Sequence, residues 1–394
     1  MKKRILFVDD EPNVLQGLKR MLRPMRNEWD MVFAGGGEDA LATMSSAEDP
    51  FDVVVSDMRM PGMDGAQLLT EVTRRYPNTV RIVLSGQSEK EAIFKAIGKT
   101  HQYLSKPCNP DVLKQTVARA CALRDLLSNE GLKSLASQMD HMPSMPEIYM
   151  ELVDELKEDS PSLQHISRLI SQDVAMTAKI LQLVNSAFFG IRRRITTVEM
   201  AVNYLGLENV SSLVLAANVF SQFQQSAKVK GFSMEALWSH SGQVGRYAQS
   251  IVKQEERSKE EVDDAMTAGL LHDCGKLIFA SNMAREYEDA LQLAEKEKLS
   301  LNEAEERVLG TNHAIMGAYL LGVWGLPDAI VEAVAFHHHP EKCPSSGCTA
   351  LAAVHVANAV ARSGKEKPKI SLNYMSSCGL TDKTPDWISA LLKQ

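Results

Sequence analysis

The chain has 394 residues, 44% of them apolar and 24% charged, with a net charge of −7. That composition excludes disordered and fibrous classes, and its acidity argues against a protein whose main work is coating nucleic acid or an anionic membrane. The length allows two or three domains with well-filled cores.

No apolar run approaches the roughly 20 residues that cross a bilayer. The basic start Met1-Lys2-Lys3-Arg4 leads into only four apolar residues, Ile5 to Val8, before two aspartates, which is too short for a signal peptide. Cys108, Cys121, Cys274, Cys343, Cys348 and Cys378 form no CxxC pair, as expected of reduced thiols. A cytoplasmic protein with no membrane span is expected.

Over the first 125 residues, strand-like and helix-like signals alternate. Strands are predicted at Arg4–Val8, Met31–Phe33, Val53–Val55, Arg81–Leu84 and His101–Leu104, with amphipathic helices at Val14–Leu22, Gln67–Tyr76 and Glu89–Ile97. This alternation predicts a parallel sheet covered on both faces, with ligands at the carboxyl ends of its strands. Gly35-Gly36-Gly37 has no Lys-Ser/Thr behind it and reads as a strand-to-helix turn rather than a phosphate loop. A last helix begins after Pro107 and Pro110. Residues 126–140 read as a helical linker that couples the halves or pairs with a second chain to give a homodimer. From 141 to 394, with a core to about 340, helical periodicity dominates and an all-α domain is expected.

Asp9-Asp10 follow the first strand, Asp57 ends the third, Ser85 ends the fourth and Lys106 follows the fifth. In a parallel sheet these points share one edge. Carboxylates crowded there repel, and a hard dication such as Mg²⁺ offsets the repulsion. With a lysine and a hydroxyl alongside, the cluster suits phosphoryl transfer to a carboxylate, Asp57 acting as nucleophile while Lys106 and Ser85 hold the transferred oxygens.

Asp9-Asp10, Asp57 with Met60-Pro61-Gly62 and Asp64-Gly65, Ser85-Gly86 and Tyr103-x-x-Lys106-Pro107 together resemble the receiver domain of bacterial two-component response regulators, a flavodoxin-like (βα)5 fold. The resemblance implies phosphorylation of Asp57 by a histidine kinase or phosphotransfer protein. It implies Mg²⁺ on Asp9, Asp10, Asp57 and the Arg59 carbonyl, and Ser85 and Tyr103 as a switch pair.

Seven of the ten histidines lie beyond residue 239. The His272-Asp273 dipeptide can place both side chains on one metal, and other helices can add imidazoles, a donor set that suits Zn, Mn or Fe. Met142-Pro143-Ser144-Met145-Pro146, Ile170-Ser171-Gln172-Asp173, Val184-Asn185-Ser186-Ala187-Phe188-Phe189-Gly190, Leu237-Trp238-x-His240-Ser241, His272-Asp273-Cys274-Gly275-Lys276 and Trp324-Gly325-Leu326-Pro327 resemble an HDOD domain, a relative of the HD and HD-GYP phosphohydrolases. Carried over from those relatives, the candidate metal ligands are His240, His272, Asp273, His313, His337 and His338, with Lys276 on phosphate. Two departures stand out. Asn358 occupies the place of an expected aspartate, and no Gly-Tyr-Pro follows the histidine run. An amide keeps the shape but loses an anionic ligand.

The resemblance therefore implies a multidomain response regulator whose HDOD module binds or scaffolds signalling partners, with cyclic-di-GMP turnover or motility machinery as analogies. The alternative is a metal-dependent phosphohydrolase acting on a nucleotide or cyclic dinucleotide. A helix-turn-helix at Ala201–Leu215 is disfavoured, since Val210–Phe220 carries no Lys or Arg to contact DNA. Arg192-Arg193-Arg194 and Lys365–Lys369 read as exposed basic loops, and Cys343 with Cys348 as an ordinary loop rather than a zinc knuckle.

Overall fold

The computed structural model describes residues 2–85, 100–106, 108–126, 146–156, 158, 161–185, 195–216, 229–343, 349–364 and 366–393. The predicted helix Glu89–Ile97, most of the 126–140 linker, the Arg192–Arg194 run and Cys348 lie outside them. So do the side chains of Ser85 and Tyr103. The chain forms two compact units, one built on residues 1–141 and the other taking most of residues 142–394.

The first unit contains strands β1 (Lys3–Val8), β2 (Trp29–Ala34), β3 (Val53–Asp57), β4 (Val80–Ser85) and β5 (Gln102–Ser105), with helices α1 (Pro12–Met21), α2 (Gly37–Ser46), α3 (Gly65–Arg75) and α4 (Pro110–Leu126). The strands form one parallel sheet in the order β2-β1-β3-β4-β5. All five residues of β3 are buried, as a central strand covered on both faces requires. The order reverses between β1 and β3, which opens a crevice at their carboxyl ends. Register aligns those ends, with Val8 opposite Ser56 and Asp57 opposite Leu84.

β2 is longer than its apolar core of Met31 to Phe33 predicts. It pairs with β1 along all six residues, and as an edge strand it can leave Asp30 exposed, where Arg4 meets it at 3.0 Å. Local chemistry sets the helix starts. Pro12 stands in the first turn of α1, and Asp64 caps α3 in a reciprocal box with Gln67. Gly65 opens α3, and a Cβ there would lie 2.2 Å from the backbone oxygen of Asp57. Helix α3 thus rests directly against the backbone of the strand end.

The second unit is helical among the described residues. Its helices are α5 (Pro146–Glu155), α6 (Leu163–Ser171), α7 (Val174–Asn185), α8 (Val198–Ala216), α9 (Met234–Gln254), α10 (Lys259–Leu271), α11 (Cys274–Asn282), α12 (Ala284–Glu297), α13 (Leu301–Leu309), α14 (His313–Val323), α15 (Asp328–Phe336), α16 (Thr349–Ser363), α17 (Leu372–Ser377) and α18 (Thr384–Leu391). Gly206, with φ of 72°, breaks the direction of α8, and Val210 beyond it is fully buried. Among the described residues no helix is long and apolar enough to cross a membrane.

Two glycines set the geometry of the next layer. A Cβ on Gly269 would lie 2.7 Å from the Cα of Gly245, so α9 and α10 cross backbone to backbone. Gly65→Ala is expected to cost roughly 1–3 kcal/mol, as overpacking does, and to lower the urea midpoint. An unchanged midpoint would contradict the close approach of α3 to Asp57.

Candidate functional site

Asp9 and Asp57 are 1% and 5% exposed, so their charges need partners. Lys106 supplies one to both: its Nζ lies 2.7 Å from Asp9 Oδ2 and 2.5 Å from Asp57 Oδ1. The other oxygens are tethered by backbone, Glu11 N donating to Asp9 Oδ1 at 2.9 Å and Arg59 N to Asp57 Oδ2 at 3.1 Å. Burial pushes the Asp57 carboxyl above its usual range against the pull of Lys106, and Asp9 adds to the push. Burial also works against the Lys106 ammonium, but Asp57 and Asp9 overcome it and raise its pKa. Asp10 follows in the turn after β1, half-buried. The converging carboxylates are the hard oxygen donors that Mg²⁺ prefers, so the residues present fit that ion.

The second site is built on Asp273, which has no exposed surface. The His272-Asp273 pair sits at the junction of two helices, His272 closing α10 and Asp273 opening α11. The α9–α10 crossing brings His240 and His272 together, ring centroids 5.3 Å apart. Gly275 lets the start of α11 meet the start of α14, since a Cβ there would lie 1.9 Å from the His313 backbone oxygen. Helix α15 delivers His337 and His338 from its end, and α16 delivers Asn358. All eight residues expected at this site converge.

Three imidazoles are oriented the same way. His272 Nδ1 meets the Gly269 carbonyl at 2.7 Å, His337 Nδ1 the Val334 carbonyl at 2.8 Å, and His313 Nδ1 a Glu305 oxygen at 2.6 Å. With Nδ1 held by an oxygen acceptor, each ring turns its Nε2 inward, the orientation of a metal-binding histidine. His272 Nε2, His337 Nε2 and Asp273 Oδ1 have no hydrogen-bond partner among the described residues. Asp273 with His313, His337 and His338, and His240 with His272 and Asp273, are the two donor groups close enough to share an ion. This donor set and its unpartnered buried atoms fit a transition metal such as Zn, Mn or Fe.

The two oxygens of Asp273 face different company. Oδ1 lies 3.1 Å from His313 Nε2 and 3.7 Å from His337 Nε2. Oδ2 lies 2.5 Å from Lys276 Nζ and 3.0 Å from Arg362 Nη2, with His272 and His240 at 3.3 and 3.8 Å. Burial acts to raise the Asp273 pKa, but His272, Lys276 and Arg362 outweigh it and hold the carboxyl well below its usual range. Burial opposes the His313 imidazolium, while Glu305 and Asp273 raise its pKa. His337 and His338 fall well below the usual value, first through burial and then through neighbouring histidines.

Two further residues at the site, Glu305 and Arg362, stand in none of the motifs. Arg362 lies one helical turn past Asn358, a spacing that puts both on one face of α16, and this signal was available. Glu305 is fully buried eight residues before His313 and carried no local signal. His355 and His339 are not at the cluster's centre: His355 bonds the His337 carbonyl and Ser371 N, and His339 meets Asn302. Cys274, buried between Asp273 and Gly275, has its thiol pKa raised by burial.

Residues 142–340 match the HDOD domain family, and residues 5–118 match the response regulator receiver domain family. An uncharacterized protein of Treponema pallidum is 26% identical over 276 residues, 69% of this chain and 50% of that one. The hydrogenase transcriptional regulatory protein HoxA of Cupriavidus necator is 35% identical over 124 residues, 31% of this chain and 25% of HoxA. The chain thus spans half or less of the length of these relatives. Among solved structures, the MmoQ response regulator of Methylococcus capsulatus aligns with a TM-score of 0.50 at 24% identity, over 64% of this chain and 98% of that one. A virulence factor of Campylobacter jejuni aligns with a TM-score of 0.50 at 21% identity, over 66% and 92%. At these identities the likeness is one of fold.

Burial and the nearby His272 push His240 down to about 4, and His337 and His338 fall with it. In the unfolded chain a histidine titrates near 6.5. Between about pH 6.5 and 4 the unfolded chain therefore binds protons that these folded groups do not, and stability falls as pH falls. Chelator-treated protein is expected to lose on the order of 2 kcal/mol at pH 5 through His240, and His240→Gln to flatten the slope in urea titrations. Equal slopes for the two proteins would refute this assignment.

Proposed function

Because the chain belongs to the HDOD family and carries a response regulator receiver domain ahead of its HDOD domain, we propose that it works by accepting a phosphoryl group on Asp57 from a histidine kinase or phosphotransfer protein, in the cytoplasm. The observation that carries this reading is Lys106, whose one ammonium reaches both Asp9 and Asp57 at the strand edge. In the transfer, an Asp57 carboxylate oxygen attacks phosphorus, the O–P bond forms and the P–N bond to the donor histidine breaks, the imidazole keeping the electron pair. Arg59 N holds Asp57 Oδ2, leaving Oδ1 as the attacking oxygen once Lys106 moves from it to the incoming phosphoryl oxygens. Asp9, Asp10, Asp57 and the Arg59 carbonyl would hold Mg²⁺, which would supply charge neutralisation there. Ser85 and Tyr103 remain proposed as the residues that respond to the phosphoryl group.

The HDOD domain is proposed as the output, a module that binds signalling partners in response to the phosphorylation state. Asn358 in place of a carboxylate, and Arg362 on Asp273, support a binding role over hydrolysis. Acetyl phosphate with Mg²⁺ is expected to raise the intact mass by one phosphoryl group in the wild type and not in Asp57→Asn. An unaltered wild-type mass, in conditions that label a known regulator, would overturn the proposal.

The unpartnered His272, His337 and Asp273 atoms favour a second reading, metal-dependent phosphohydrolysis. It requires that protein loaded with Mn²⁺ or Fe²⁺ cleave bis(p-nitrophenyl) phosphate, with His272→Ala and Asp273→Ala each losing more than the roughly 10–100-fold that loss of a ligand's outer-shell partner costs. Turnover that survives both substitutions would exclude it.

A further inference from the structure

The geometry points to a site for a single transition-metal ion on the Oδ1 side of Asp273, ligated by His313, His337 and His338, with Arg362 and Lys276 serving as protein cations that close the Oδ2 side to a second ion. This rests on reading the HDOD histidines as metal ligands, and is independent of chemistry at Asp57.

The two sides of Asp273 differ in what they offer a cation. On the Oδ1 side, one donor atom each from Asp273, His313, His337 and His338 lie within 4.8 Å of one another, and Oδ1 itself is 3.1 and 3.7 Å from the Nε2 atoms of His313 and His337. His313 Nε2 and His338 Nε2 share a hydrogen bond of 2.9 Å, whose hydrogen a bound ion would displace, and His337 Nε2 is unpartnered, so ring nitrogens of three histidines face one another. Three imidazoles and a carboxylate make a complete four-coordinate set for Zn²⁺ or Co²⁺. Glu305 supports it from behind, holding both the backbone N–H and Nδ1 of His313. Solvent reaches the His338 edge through a cavity of about 440 Å³ that His337, His338, Asn358 and Arg362 help to line.

The Oδ2 side is already supplied with positive charge. Lys276 Nζ and Arg362 Nη2 both bond Oδ2, and a guanidinium does not deprotonate in a protein. A dication there would face two like charges at contact distance. His240 is taken as well: its Nε2 lies 3.0 Å from Asn358 Oδ1, so with the amide oxygen facing it the ring donates from the nitrogen that a metal would need. His272 Nε2 is then the one donor atom of that group left unpartnered. Charge, more than shape, closes this half of the site. Substituting Arg362 and restoring a carboxylate at position 358 should reopen it.

The test is metal content of the full chain. Protein stripped with chelator and then equilibrated with Zn²⁺ is expected to hold about one ion per chain by elemental analysis. Cobalt loading should give the intense visible absorption of a four-coordinate centre. His338→Gln, at a half-buried position, should lose the ion while keeping its far-UV circular dichroism; His240→Gln should keep it. The Arg362→Gln/Asn358→Asp double variant should take up about two. A folded wild type that binds no Zn²⁺ would overturn the metal reading itself. One ion that is lost in His240→Gln but kept in His338→Gln, or a double variant that stays at one, would overturn the assignment of sides while leaving that reading intact.

Discussion

Asp273 is a carboxylate with no exposed surface, and the helical unit is organised around giving its charge somewhere to go. Lys276 and Arg362 answer one oxygen, and the ring nitrogens of His313 and His337 face the other. An ionised carboxylate cannot be buried alone, so the side chains that reach it are fixed as firmly as core residues. The same constraint acts on the sheet edge of the other unit, where Asp9 and Asp57 share Lys106. Each unit keeps negative charge at a place where a further cation or a phosphoryl group has something to meet.

What brings those groups together is close backbone approach. Gly65 lets α3 rest on the carbonyl of Asp57, Gly269 and Gly245 let α9 cross α10, and Gly275 lets α11 touch the backbone of His313. None of these positions tolerates a methyl group without displacement. The histidines owe their orientation to the same economy of space. Carbonyls at the helix ends, three residues back along the chain, take the Nδ1 hydrogens of His272 and His337. Helix termini leave such carbonyls without intrahelical partners, so a histidine at a helix end is oriented at little further cost.

The asymmetry of the Asp273 site changes how its departures from the hydrolase pattern are understood. Asn358 alone removes one anionic ligand. Arg362, a turn further along α16, adds a fixed positive charge on the carboxylate beside it. The two changes act in the same direction, each leaving the Oδ2 side of Asp273 less attractive to a cation.

By itself the sequence indicated the alternation of short apolar strands with amphipathic helices, a second half that is helical among the described residues, the carboxyl-edge positions of Asp9, Asp57 and Lys106, and, through the resemblance to the HD relatives, the seven residues gathered at the Asp273 site. These were legible because strand ends, helix starts and close His-Asp spacing are local, and because the motifs run over many positions. The tertiary structure decided the order of the strands, the extension of β2 along β1, and which oxygen of Asp273 faces which partner. It alone revealed Glu305, and it showed Arg362 acting across 89 residues of chain. Those facts depend on where separate helices meet, and a side chain's partner across such a distance is set by the packing of glycine-lined helix crossings rather than by any periodicity in the chain.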